Sequence, residues 1–143
     1  MLKEPILVLT KCKFSLNSLI VFVAYANRHL CQNRFVYGGT GLNFFDQSNS
    51  DSRNVYILTL PAFRWIRSSE LTPPRAGSTC QTVKSQMISF GGWDPTSSGF
   101  GTDPWVRGLQ VFDLTRLTWS GNYDVNAAAY VKSDLVSNFY SAK

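Results

Sequence analysis

An internal repeat constrains this chain more than any other feature. Phe35-Val36-Tyr37-Gly38-Gly39 returns as Met87-Ile88-Ser89-Phe90-Gly91-Gly92, an apolar run that halts at two glycines, and Gly38 and Gly91 stand 53 residues apart. The order of features after each pair repeats as well. Downstream of the first pair lies a polar loop, Thr40 to Asn54, whose Asn, Ser, Asp and Gly content favours turns. Then come the β-prone run Val55 to Leu60, a turn at Pro61-Ala62-Phe63 and a second strand from Arg64-Trp65-Ile66-Arg67. Downstream of the second pair the loop runs from Trp93 to Gly108, the strand from Leu109 to Leu114, the turn over Thr115-Arg116, and the last strand from Leu117 to Ser120. Trp65 and Trp119 lie 54 residues apart, so the glycines and the tryptophans keep step.

A repeat of about 50 residues is one supersecondary unit that buries its faces only by stacking on neighbours. Paired glycines allow positive φ and close approach of the backbone, and a tryptophan on each outer strand is expected to fill the wedge between neighbouring sheets. With these motifs the chain resembles kelch repeats, and Gly38, Gly39, Tyr56 and Trp65, then Gly91, Gly92, Phe112 and Trp119, match that pattern. The runs Val55 to Trp65, Gly77 to Cys80, Val111 to Thr115 and Tyr123 to Ala127 look more narrowly like kelch proteins of filamentous fungi. What the resemblance implies is an all-β fold: an incomplete kelch-type β-propeller of about two four-stranded antiparallel blades. Residues 1–33 are then a leader or a degenerate strand segment, 34–122 the kelch repeats and 123–143 the start of a third blade. One departure from the family pattern stands at Ser78, where such repeats often carry histidine after Arg75-Ala76-Gly77.

Charge and cysteine content narrow the function classes. The net charge of +5 is concentrated before residue 35, and the remainder, with nine basic and eight acidic residues, presents no basic stripe, so no nucleic-acid partner is expected. The three cysteines, Cys12, Cys31 and Cys80, form no C-x-x-C pair and signal no zinc site; in a secreted chain Cys31 and Cys80 could pair. Phe14 to Ala26 is too short for a bilayer span. Two readings of it stand side by side: a signal peptide within residues 1–26, with Lys11 and Lys13 before the apolar run and Ala24-Tyr25-Ala26 as its cleavage site, or a buried strand around Leu19 to Val23. The first places the protein outside the cell or at its surface, with any membrane anchor on a segment beyond this chain.

Catalytic chemistry is not expected. His29 is the single histidine, so the copper site of kelch-like radical oxidases, which takes two histidines and two tyrosines, cannot be assembled here. Asp94, Asp103, Asp113 and Asp124 do not follow calcium-loop spacing and sit where aspartate bonds its own turn. No catalytic residue, metal ligand or cofactor is therefore assigned. The two long loops are the candidate binding face, with Phe44, Phe45, Trp93, Phe100, Trp105 and Arg107 as the anchoring types, although Trp93 and Trp105 could instead pack on the neighbouring blade. The expected function is a protein-interaction scaffold cut from a larger propeller, with an unidentified protein partner and self-association through exposed blade edges. The alternative is a fragment of a secreted galactose or glyoxal oxidase-like propeller lacking its active site.

Overall fold

A computed structural model describes residues 13–16, 19–25, 33–39, 53–60, 62–96 and 103–141; for 13–16 and 19–25 only the backbone is considered. It is mostly β, with two antiparallel sheets that do not close on one another. The first sheet takes the order β1 (Lys13–Leu16), β2 (Leu19–Tyr25), β3 (Asn33–Tyr37), β4 (Asn54–Thr59) and β5 (Arg64–Leu71). The second takes β6 (Thr79–Val83), β7 (Gln86–Phe90), β8 (Leu109–Asp113) and β9 (Thr118–Ser120). Within each sheet every strand pairs with its sequence neighbour, the meander expected of propeller blades, although the first sheet carries five strands where four were expected because the segment before residue 33 adds β1 and β2. Leu19 to Tyr25, open at the sequence level between signal and strand, forms the strand that pairs with β3.

Register shows how the repeat becomes a core. Across β4 and β5, Leu58 opposes Trp65; across β8 and β9, Phe112 opposes Trp119. Residues opposed across a pair share a face, so each sheet has two unlike faces. On the first sheet, Phe35, Tyr37, Val55 and Ile57 point inward and are fully buried. On the second, Met87 and Phe112 point back at them, with Trp119 packed against the same cluster. Tyr37 meets Trp119 edge-on at 4.8 Å between ring centroids, and Trp119 lies 4.9 Å from Phe112. Burying such rings contributes about 2–3 kcal/mol each beside the aromatic pairing itself.

Trp119 thus fills the wedge between the sheets as expected. Trp65 does not: it is 60% exposed, because among the described residues no sheet lies opposite its face of the first sheet. A second departure concerns residues 123–143, expected to begin a third blade. Among the described residues of that stretch there is no strand; a strap from Tyr123 leads into helix α1, Asp134–Ser141. Local chemistry explains the helix. Ser133 accepts from the Val136 N–H as a cap, Asp134 sits favourably in the first turn, and Val136 and Tyr140, four residues apart, face inward together. The strap bridges both sheets. Asn33 Nδ2 donates to the Tyr130 hydroxyl at 2.9 Å, Tyr130 lies edge-on to Phe35, and the Tyr140 hydroxyl donates to the Leu60 carbonyl at 3.0 Å. On the other side, the Ser85 N–H donates to the Ala128 carbonyl and Gln86 makes paired bonds with the Asp124 backbone.

All four motif glycines have positive φ, from 71° to 108°. Their crowding differs. A Cβ on Gly92 would run into the Ala76 carbonyl oxygen and lie 2.7 Å from the Ser78 nitrogen, both rigid backbone, whereas one on Gly91 would meet nothing within 4 Å. Gly92→Ala is therefore expected to cost at least about 2–3 kcal/mol and Gly91→Ala only about 1 kcal/mol, as read from denaturant midpoints. Non-glycine residues also adopt the left-handed region at repeat-equivalent turns, Phe63 at φ 51° and Leu117 at φ 59°. Phe63 is 72% exposed, so Phe63→Gly is expected to raise stability by about 0.5–1 kcal/mol in the same assay, whereas Leu117→Gly, which removes a buried side chain, should lower it.

Candidate functional site

The linker Thr72-Pro73-Pro74-Arg75 and the residues after it organise the end of the molecule where the β7–β8 loop emerges. Proline at 73 and 74 supplies extended backbone with no donor to satisfy. The Arg75 carbonyl accepts from the Gly39 N–H at 3.0 Å, next to Gly38, where a Cβ would come within 2.6 Å of that oxygen. Ala76 exchanges two hydrogen bonds with Trp93, each 2.9 Å, so the backbone just past the second glycine pair is bonded to the linker. Glycine pair, linker and loop are in this way one hydrogen-bonded unit.

The Arg75 side chain then crosses the seam. It is 1% exposed, and its guanidinium forms a two-pronged bond with Asp103, Nη2 to Oδ1 at 2.6 Å and Nη1 to Oδ2 at 3.2 Å. The same guanidinium lies 3.8 Å from the centre of the Trp105 ring. Trp105 in turn stacks on Tyr37 at 6.2 Å, and the Tyr37 hydroxyl donates to the Pro73 carbonyl at 2.9 Å. Asp103 Oδ1 also accepts from the Trp105 N–H at 2.9 Å, fixing the loop where it leaves the surface. Bidentate, charge-assisted contacts of this kind hold geometry as well as energy. The bond to Arg75 holds the Asp103 carboxyl below its ordinary range, although the group is partly open to solvent. Burial pushes the Tyr37 phenol well above its ordinary value, so it stays a neutral donor.

Past Trp105 the chain makes a single 3₁₀ turn, Val106–Gly108, with Arg107 at φ 58°. Gly108 accepts from the Gly91 N–H at 2.9 Å and closes the loop base. Val106, 76% exposed, and Arg107 project beyond this anchor.

The six loop residues expected to anchor a partner fare differently. Phe44, Phe45 and Phe100 lie outside the described residues. Trp105 is 2% exposed and belongs to the core, so it cannot touch a partner; the linker arginine and Tyr37 enclose it. Trp93 is 47% exposed yet packs its six-membered ring over Gly77, where a Cβ would collide with it. Arg107 is exposed. Sequence reasoning passed over Val106 and the anchoring role of Arg75, which carried no periodic signal. Of the motif residues, Tyr56 is half-buried on the outward face of the first sheet and Phe112 fully buried.

The aspartates act within turns. Asp94, Asp113 and Asp124 each accept from a backbone N–H two residues on at 2.8 Å. Among the described residues no three His, Cys, Asp or Glu side chains gather to hold a metal, and no helix is long and apolar enough to cross a membrane. His29, Cys12 and Cys31 lie outside the described residues. Cys80 is a free thiol, and burial pushes it up to about 11; the pairing with Cys31 considered for a secreted chain falls on a residue outside the described ones. Ser78, at the position where the family often has histidine, is 1% exposed and its hydroxyl makes no hydrogen bond.

No family model matches the chain. A curated kelch repeat-containing protein of Arthroderma benhamiae is 30% identical over 93 residues, which is 62% of this chain and 13% of that protein. The chain thus spans about an eighth of the length of the relative it matches. Together with two open antiparallel sheets repeating at a 53–54-residue offset, this similarity supports a partial kelch-type relationship.

Proposed function

We propose that the chain serves as a protein-interaction scaffold whose recognition face is the β7–β8 loop. The observation that carries this reading is the Arg75–Asp103–Trp105 anchor, which fixes the loop base and leaves Val106 and Arg107 outside it. A loop segment held by charge-assisted bonds, as residues 103–108 are, loses little entropy when a partner binds, and an apolar residue beside an arginine is an effective contact pair. The similarity to a kelch repeat-containing protein supports an interaction role over a catalytic one. The mixed charges near the loop, with Arg107 beyond the anchor and Asp103 behind it, favour a protein surface over a polyanion.

A photo-crosslinking residue placed at position 106 should capture a discrete protein from native extract, and the captured protein can then be titrated against the purified chain. Replacing Val106 by Asp and Arg107 by Glu together should weaken that interaction by about 10–100-fold with the denaturation midpoint unchanged. Unchanged affinity would move the recognition face elsewhere. The anchor adds a pH signature. Because the bond to Arg75 lowers the Asp103 carboxyl, its contribution is fully present above the ordinary carboxylate range and is lost as pH falls through the lowered value. Binding should therefore weaken in acid, and Asp103→Asn should weaken it at neutral pH while removing that part of the acid dependence.

A further inference from the structure

The two rings that seal the seam inside the chain have repeat equivalents that remain open. Tyr37, fully buried, corresponds to Phe90, 53 residues on and 44% exposed. Trp119, packed against Tyr37, corresponds to Trp65, 54 residues earlier and 60% exposed. The correspondence extends across the sheets. By register, Trp65 shares its face with Leu58, Tyr56 and Val36, just as Trp119 shares its face with Phe112, Gln110 and Ser89. Phe90 shares its face with Leu109, Ile88 and Val111, just as Tyr37 does with Val55, Phe35 and Ile57. One outer face of the molecule therefore carries the tryptophan half of the seam and the opposite outer face carries the aromatic half that receives it.

We propose that a second copy of this chain docks on these faces head to tail, the Trp65 face of one copy seated on the Phe90 face of the next. The occupant is specified by the chain itself: the seam between β3–β4 and β8–β9 is an existing interface, and the docked copy continues it with Trp65 in the place of Trp119, Leu58 in that of Phe112 and Phe90 in that of Tyr37. Along that face Val111 is already buried and the Asp124 backbone occupies the Gln86 end, so among the described residues the open part of the face lies at Phe90, 44% exposed. A contact between unlike faces is heterologous, so it closes into a ring where the rotation allows. Propellers close with about 4–8 blades, which corresponds to roughly two to four copies of a two-sheet chain. The same contact covers the exposed Trp65 and Phe90 and extends the two-sheet stack on both sides.

The experiment is light scattering of the full chain from low to high micromolar concentration, with two single variants and their mixture. The unmodified chain should reach two to four times the monomer mass. Trp65→Arg and Phe90→Asp should each weaken association by about 30-fold or more, with circular dichroism and the denaturation midpoint holding because both side chains are partly exposed. Mixed together, they should form a one-to-one pair and nothing larger, since each variant retains the face that the other lacks. A chain that stays folded and monomeric throughout overturns the proposal. So does a mixture that fails to pair while Phe90→Asp alone still dimerises, which is the signature of a like-to-like contact. Should either variant unfold, a chain carrying both Trp65→Cys and Phe90→Cys gives an independent reading. Oxidation should then link separate copies into a ladder or ring that neither single cysteine variant forms, and absence of the ladder overturns the proposal equally.

Discussion

Tyr37 joins the two sheets, and most of the rest of the structure is arranged around keeping it buried. Its ring meets Trp119 of the second sheet on one side and Trp105 of the β7–β8 loop on another, and its hydroxyl ties down the linker at Pro73. None of these contacts is local in sequence. Each becomes possible only after the linker has brought the second sheet round against the first, so linker and aromatic seam form together or not at all. A phenol buried this completely must keep its proton and find an acceptor, and the Pro73 carbonyl fills that role in a segment where prolines leave carbonyls without paired donors.

The glycine pairs serve this same junction from the backbone side. Gly38 and Gly92 sit where the linker passes within a Cβ's width of the strand ends, and the hydrogen bonds of Gly39 to Arg75 and of Trp93 to Ala76 exist because that approach is so close. Arg75 then converts a backbone junction into a loop anchor by carrying its charge under the seam to Asp103 and over the face of Trp105. A buried guanidinium is costly unless its bonding is met. Here the carboxylate, the indole face and the Gly92 carbonyl at 3.5 Å meet most of it, and the loop is held as a consequence. The base of the proposed recognition loop and the core therefore share residues, and Trp105 belongs to both.

Repeat spacing, the positive-φ glycines and the strand order could be read from the chain, because each is set by local chemistry repeated at a fixed interval. What could not be read was partnership. Trp65 and Trp119 are alike in sequence and unlike in burial, since burial depends on whether a sheet lies opposite, and the local pattern around a tryptophan does not encode that. The strap and helix after Tyr123 were missed for a related reason. Tyr123-Asp124-Val125 carries strand-like wording, yet the three alanines that follow have little β preference and the Ser133 cap redirects the chain into a helix. Arg75 was visible as part of the blade-opening Arg-x-Gly, but its pairing with Asp103, 28 residues away, is a product of the fold.

A stack built by translating one unit cannot be symmetric at its two ends. Each internal seam needs one face of one sheet and the opposite face of the next, so any number of repeats leaves one face of each kind over. The helix and strap do not remove this asymmetry. They bind Asn33, Leu60, Ser85, Gln86 and Thr115, all at the ends of strands or in turns, and so reinforce the seam already made while reaching the Phe90 face at its Gln86 end. Closing the seam more firmly makes the two sheets a better-defined pair, and a better-defined pair presents its leftover faces with less entropy still to lose. The contacts that hold this chain together therefore also pre-organise the surfaces through which it would meet a neighbour.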